Sequence, residues 1–183
     1  MQASTVSAAA AVLLCVAVPL AAQERPDPYK SPLIDSLVYG VYCAEPAIDI
    51  EEAPDTAAGV VNIVPGIPEM RAVTTLVPAQ LGIGFGVIVE ARDGVVFDPA
   101  GITITHPPYP DSGIAVERWS TVVDGDGPGL VGFSFEAETE LVPGAWTFEA
   151  EHAGELLFRV TFEVMPPALL PALSAACGVA TLS

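Results

Sequence analysis

Between Pro143 and Val164 the chain reads PGAWTFEAEHAGELLFRVTFEV, and its apolar residues twice fall on every second position. Trp146, Phe148 and Ala150 alternate with Thr147, Glu149 and Glu151; Phe158, Val160, Phe162 and Val164 alternate with Arg159, Thr161 and Glu163. Successive side chains of a strand point to opposite faces, so this period of two specifies two half-buried strands. The turn residues His152-Ala153-Gly154 join them into a hairpin whose buried face is already named.

The rest of the chain supplies partners for that hairpin. Leu37–Cys43, Val60–Val64, Ala72–Val77, Ile83–Ala91, Ile102–Thr105, Ile114–Val122 and Leu130–Ala137 are rich in Val, Ile and Thr and are bounded by Gly, Pro or Asp. Val131, Phe133 and Phe135 share one face. Gly82, Gly84 and Gly86 strip side chains from one face of their strand, which implies close packing or a bulge. The acidic stretch IDIEEAPDTAAG after Cys43 reads as a loop. A helix is credible only around PPALLPALSAACG, where prolines limit it to a turn or two. The expectation is an all-β chain: an antiparallel immunoglobulin-like β-sandwich of about 8–9 short strands, with an extended N-terminal arm and a short C-terminal tail.

Three stretches, VPAQLGIGFGVIVEA (77–91), ITITHPPYP (102–110) and ELVPGAWTFEAEHAGELLFRVTFEV (140–164), resemble a bacterial family known as domain of unknown function 3859. The motifs are turn and core residues: Pro78 before a glycine-rich strand, His106-Pro107 after a strand, Pro143-Gly144 before the Trp146 strand. The resemblance spans roughly Leu37 to Val164. It implies a small β-sandwich and carries over no catalytic residue.

Ahead of the domain, residues 8–22 read AAAAVLLCVAVPLAA, an apolar run too short to span a bilayer comfortably and followed at once by Gln23, Glu24, Arg25 and Pro26. That pattern is a signal peptide over residues 1–22, with cleavage after Ala22, although MQASTVS lacks the usual basic residue. An uncleaved anchor and a lipoprotein modified at Cys15 are the competing readings. The organisation expected is a signal peptide (1–22), a Pro-rich extended arm (23–36), a sandwich domain (37–165) and a tail (166–183), in a periplasmic or secreted protein. Once Cys15 leaves with the leader, Cys43 and Cys177 remain, an even pair that suggests one disulfide tethering the tail to the first strand.

Charge narrows the partners. Asp and Glu number 23 against 6 Lys and Arg, a formal net charge of −17. Nucleic acid is excluded on this ground, since a polyanion is repelled and the few basic residues are scattered. An anionic membrane surface is disfavoured likewise, and no apolar run beyond the leader is long enough to cross a bilayer.

Each candidate for chemistry meets a structural competitor. Asp124-Gly125-Asp126-Gly127-Pro128-Gly129 resembles a calcium loop, but the EF-hand template would place Pro128 at its fifth position and Phe135 at its twelfth, so an acidic turn is the better reading. His106 and His152 would both be needed for a transition-metal site; His106 before a double proline reads as a corner, and His152 as part of a turn. No G-x-S-x-G elbow is present. Tyr109 and Trp119, with Tyr39, Tyr42 and His106, are candidates for an aromatic binding surface, against the competing reading that they fill the core.

These readings lead to an exported, non-enzymatic module without cofactor, acting by binding or by supporting an envelope assembly, with an envelope protein or a glycan as the partner class. The alternatives are a hydrolase with a loop-borne site and a calcium-dependent module using Asp124 and Asp126.

Overall fold

The computed structural model describes residues 27–177. The signal peptide expected over 1–22, Cys15 within it, the first residues of the arm and the last six of the tail lie outside the described residues.

In chain order the strands are β1 (Tyr29–Lys30), β2 (Ile34–Cys43), β3 (Asp49–Glu52), β4 (Val60–Ile63), β5 (Leu76–Pro78), β6 (Ile83–Ala91), β7 (Val96–Thr105), β8 (Val116–Asp124), β9 (Gly129–Ser134), β10 (Gly144–His152) and β11 (Glu155–Met165). A six-stranded sheet runs β1-β11-β10-β7-β8, and β5 joins it in parallel on the free side of β11. A three-stranded sheet runs β2-β6-β9 and packs against it; β3 and β4 form a separate two-stranded hairpin. Every pairing except β5–β11 is antiparallel. Two facing sheets around one core make this an immunoglobulin-like β-sandwich, the class the alternation implies.

The named face of the terminal hairpin is indeed the buried one. Trp146, Phe148, Phe158, Val160 and Phe162 are fully buried, whereas Thr147, Glu149, Arg159, Thr161 and Glu163 lie on the opposite, wetter face. That outer face is braced by Arg159, which donates to Glu149 Oε1 at 2.7 Å from Nε and 2.6 Å from Nη2, and by a 3.0 Å bond between the Thr147 and Thr161 hydroxyls. At the turn Ala153 has φ 49° and Gly154 φ 82°, the two left-handed residues a tight two-residue hairpin requires.

Phe85 of β6 meets the hairpin from the other sheet. Its ring centroid lies 5.5 Å from Trp146, 5.4 Å from Phe148 and 5.3 Å from Phe162, all close to edge-on, and 5.3 Å from Phe135. Edge-to-face pairs of this kind add about 0.5–1.5 kcal/mol each beyond the area they bury. Phe133 of β9 and Phe135 just beyond it also reach Trp146, at 5.0 and 5.8 Å, so a cluster of rings centred on Phe85 keys the apolar alternation of one sheet to that of the other.

The alternate glycines of β6 serve close packing. Val41 and Phe85 point into the core, so their neighbours Tyr42 and Gly84 point out. The Tyr42 ring lies flat over Gly84 of β6 and Gly132 of β9, where any β-carbon would collide with it. Bare backbone on two strands makes the bed for one aromatic ring, which is why Tyr42 is only 4 % exposed on the outer face of a sheet. Burial pushes its phenol up to about 12, opposed by the hydrogen bond with the Ser134 hydroxyl and helped to a lesser degree by the charge of Glu136.

Some element boundaries differ from expectation. β2 begins at Ile34 rather than Leu37, and Tyr29–Lys30, within the arm, pair with Arg159 and Phe158 of β11. The acidic stretch taken for a loop contains β3, whose Asp49–Glu52 pair with Val60–Ile63. Its side chains are all exposed, so alternation of buried and exposed positions had nothing to report there. Of the strand expected over Ala72–Val77, Ala72 makes only an isolated bridge to Val41, and regular pairing starts at Leu76. The tail forms a 3-10 turn (Pro167–Leu169) and a short helix α1 (Pro171–Ala176), as its prolines allow. Cys177 just beyond α1 is bonded to Cys43 at the end of β2, with Cα atoms 5.2 Å apart.

Candidate functional site

His106, Pro107, Pro108 and Tyr109 follow β7 directly, and the double proline turns the chain back over the end of the large sheet. The turn closes through Gly113 N–H to Tyr109 O and Tyr109 N–H to Ile114 O, each at 2.8–2.9 Å. His106 and Tyr109 then point the same way, inward, and their rings stand 4.3 Å apart. On its other side His106 stacks on Trp146 at 4.4 Å and 19°. Trp146 is itself oriented by its indole N–H, which donates to Val142 O at 3.0 Å.

The polar partner of this aromatic sandwich comes from β8. Glu117 is an inward-pointing carboxylate on an edge strand, 5 % exposed. Its Oε1 accepts the Tyr109 hydroxyl at 2.8 Å and lies 3.3 Å from His106 Nε2. Its Oε2 accepts the backbone N–H of Ala57 at 3.0 Å. His106 Nδ1 is 2.8 Å from Pro107 O, a carbonyl that can only accept, so Nδ1 carries a proton. Nε2 is left facing Glu117 close enough for an ion pair but off the line of a hydrogen bond, and it is the one buried side-chain polar atom without a hydrogen-bond partner among the described residues.

Burial is the largest influence on Glu117 and would raise its pKa. The contacts with His106, the Ala57 amide and Tyr109, with the charge of His106 behind them, outweigh burial and hold the carboxyl below the ordinary glutamate value. The same carboxylate acts in reverse on Tyr109, whose phenol is pushed well up by burial first and then by the charge of Glu117 and its hydrogen bond. Across the working pH range the cluster therefore holds a charged carboxylate and a neutral phenol that donates to it.

Ala57 belongs to the turn between β3 and β4, and this turn reaches the sandwich at a second point, where Arg118 N–H donates to Asp55 O at 3.0 Å. The hairpin starts beyond Cys43 of β2 and touches Glu136, just past β9, through Asn62 Nδ2 at 2.9 Å. It thus straps the side of the sandwich where the edge strands β9 and β8 lie, and covers part of an otherwise open edge.

Of the aromatic and histidine residues singled out from sequence for a binding surface, the structure brings together His106 and Tyr109 and keeps Tyr39, Tyr42 and Trp119 apart from them. His106 and Tyr109 are each 4 % exposed, in the interior rather than on an aromatic surface; their apolar rings pack on Trp146 while Glu117 satisfies the phenol. Tyr42 lies on the other sheet over its glycines, and Tyr39 and Trp119 are half-buried against the core. Trp119 borders a shallow groove on the large sheet that is also lined by Asp55, Thr103, Arg118, Ser120 and Glu151. Asp124 Oδ1 accepts the N–H of Asp126 at 3.0 Å, so that carboxylate caps its own turn between β8 and β9. Among the described residues no three His, Cys, Asp or Glu side chains are grouped to hold a metal ion, and no helix is long and apolar enough to cross a membrane. Glu117 was not singled out from sequence: one acidic residue among many in VERWSTVVD, it differs from its neighbours only in sitting on the inward phase of β8.

No curated protein matches the chain. Among solved structures it is similar to an immunoglobulin-like protein from Pseudomonas aeruginosa, with 20% identity, a TM-score of 0.49, and coverage of 72% of this chain and 94% of that one. The match to the family described as "Domain of unknown function (DUF3859)" runs over residues 30–164 and takes in β2, the β6 glycines, the His106–Tyr109 turn and the terminal hairpin; the chain belongs to that family.

Proposed function

We propose that the chain is an exported, non-enzymatic module that works by binding a component of the cell envelope or by supporting an envelope assembly. The observation that carries this reading is how His106 and Glu117 are used. They are the groups best suited to acid–base work, and they are spent on each other, on Tyr109 and on backbone groups, with the His106 side chain fully enclosed. Contact with a partner then falls to the surface, where Arg118, Ser120, Thr103, Asp55 and Glu151 line one shallow groove. Such a lining suits a polar, extended partner, an envelope protein or a glycan, better than a small apolar ligand. The apolar leader and the Cys43–Cys177 bridge support an oxidising, exported location.

The test is capture from detergent-solubilised envelope with the immobilised chain, beside an Arg118→Glu, Ser120→Asp double variant that alters only exposed groove residues. A component retained by the parent chain and lost by the variant supports the reading. Equal capture by both, or turnover of an envelope substrate that survives the double change, overturns it. Mass spectrometry of the chain recovered from the periplasm or medium is expected to show Gln23 as the first residue.

A further inference from the structure

The β3–β4 hairpin differs from every other element in what holds it. Its strands pair only with each other, β3 is exposed along its whole length, and Ile48 and Ile50 are 68% and 60% exposed. Its turn closes on itself around the buried Ala53 and meets the sandwich through two hydrogen bonds, Ala57 N–H to Glu117 Oε2 and Arg118 N–H to Asp55 O. One of these ends on a buried carboxylate that is also gripped from behind by Tyr109 and faced by His106. A hydrogen bond to a charged, enclosed acceptor is the stronger kind, whereas β3 is wholly exposed, β4 is only half-buried at Val60, Val61 and Ile63, and the bond from Asn62 to Glu136 lies in solvent.

From this we propose that the β3–β4 hairpin is a hinged strap, and that Glu117 is its latch. While the carboxylate is charged, the strap lies closed over the edge of β8. When the latch is lost, the strap swings away about the segments that follow Cys43 and Ile63, and the sandwich stays folded. Opening brings water to Glu117 and through it to the His106–Tyr109 pair, and frees the N–H of Arg118 beside the groove. The groups facing Glu117 are His106 and Tyr109 from the turn after β7 and the Ala57 amide from the strap. Asp55 is the acidic residue of the strap's turn, two positions before Ala57, and the charge of Glu140 reaches Tyr109 from the 3-10 turn Glu138–Glu140. The device does not depend on what the groove binds.

Hydrogen–deuterium exchange of the full chain reads it directly. In Glu117→Gln, amides of residues 49–63 are expected to exchange about tenfold faster or more, the scale of losing one charge-assisted hydrogen bond, with β6, β10 and β11 as protected as before. Unchanged exchange in the strap overturns the proposal. So does a rise shared evenly by strap and core, which would make Glu117 a prop of the whole fold and not a latch. Should the variant fail to fold, the parent chain decides the matter: after correction for intrinsic rates, acidification through the titration of Glu117 is expected to raise exchange in 49–63 ahead of the core. Simultaneous loss in both overturns the latch.

Discussion

Glu117 has to satisfy two demands that pull its proton in opposite directions. Burial favours the neutral acid, while three neighbours favour the carboxylate, and the neighbours win. The linkage sign follows: a carboxyl with a lowered folded pKa contributes stability that is complete above its unfolded value and is lost as pH falls through the folded one. Stability measured by denaturant titration is therefore expected to hold from neutral pH down to about 4.5 and to decline below it, with a shallower decline in Glu117→Gln. Replacing Glu117 by Ala is expected to cost about 1–3 kcal/mol, since Tyr109 Oη and Ala57 N–H lose their acceptor. A second residue-scale test concerns Gly84. Its β-carbon would strike the Tyr42 ring, so Gly84→Ala should destabilise by about 1–3 kcal/mol, as overpacking does. It should also pull the Tyr42 phenol back from about 12 toward its ordinary value, visible in an ultraviolet titration. The glycine pattern in the sequence announced close packing without saying what packs there. Tyr42 lies four decades of residues away in the chain, and only the β2–β6 register joins the two.

Among elements, the terminal hairpin and the strap are opposites. β10–β11 buries one face completely, and so its alternation and its turn were legible in the residues, though not the bulge that shifts its register between Ala150 and Glu151. Ala153 is its one local conflict: a residue with a β-carbon at φ 49°. Left-handed backbone costs a non-glycine residue about 1–2 kcal/mol. Ala153→Gly or Ala153→Asn is accordingly expected to raise the melting temperature, with a gain of about 0.5–1 kcal/mol. The outer Arg159–Glu149 pair, by contrast, is a third exposed on the arginine side. Exposed pairs contribute little, so Arg159→Met is expected to shift stability by less than about 1 kcal/mol in the same melts. The β4 side of the strap shows as a strand in the sequence, but its β3 side reads as a loop because pattern reasoning detects burial, not hydrogen bonding. A strand wet on both faces carries no periodic signature, and nothing local in IDIEEAPDTAAG reveals that its turn lands on a carboxylate 60 residues on. The polar cluster was half legible for the same reason. His106-Pro107 announced a corner, but which of many acids enters the interior depends on the phase of β8.

For the molecule as a whole, the Cys43–Cys177 bridge spans 134 residues and fastens α1 to the end of β2. Closing so long a loop removes unfolded-state entropy worth about 4–5 kcal/mol in the chain-entropy account. Reduction, or Cys43→Ser with Cys177→Ser, is expected to lower the denaturant midpoint markedly and to steepen the slope, because the unfolded chain without its bridge exposes more surface. The pairing and its tethering of the tail were both open to inference from an even cysteine count, and the tether matters because α1 has no buried residue of its own. Finally, the free side of β11 is closed by two segments from far earlier in the chain: β1 runs antiparallel to it at Phe158–Arg159, and β5 runs parallel at Glu163–Met165. Between them the Asp27 carboxylate accepts the N–H of Thr161 at 3.0 Å. The strand made last is thus the one on which the earliest segments must converge. A nascent chain still lacking β11 has nowhere to lodge either β1 or β5, so folding waits for β11. Chains stalled on the ribosome with β11 not yet emerged should remain protease-sensitive throughout, and resistance should appear in one step once that strand clears the tunnel.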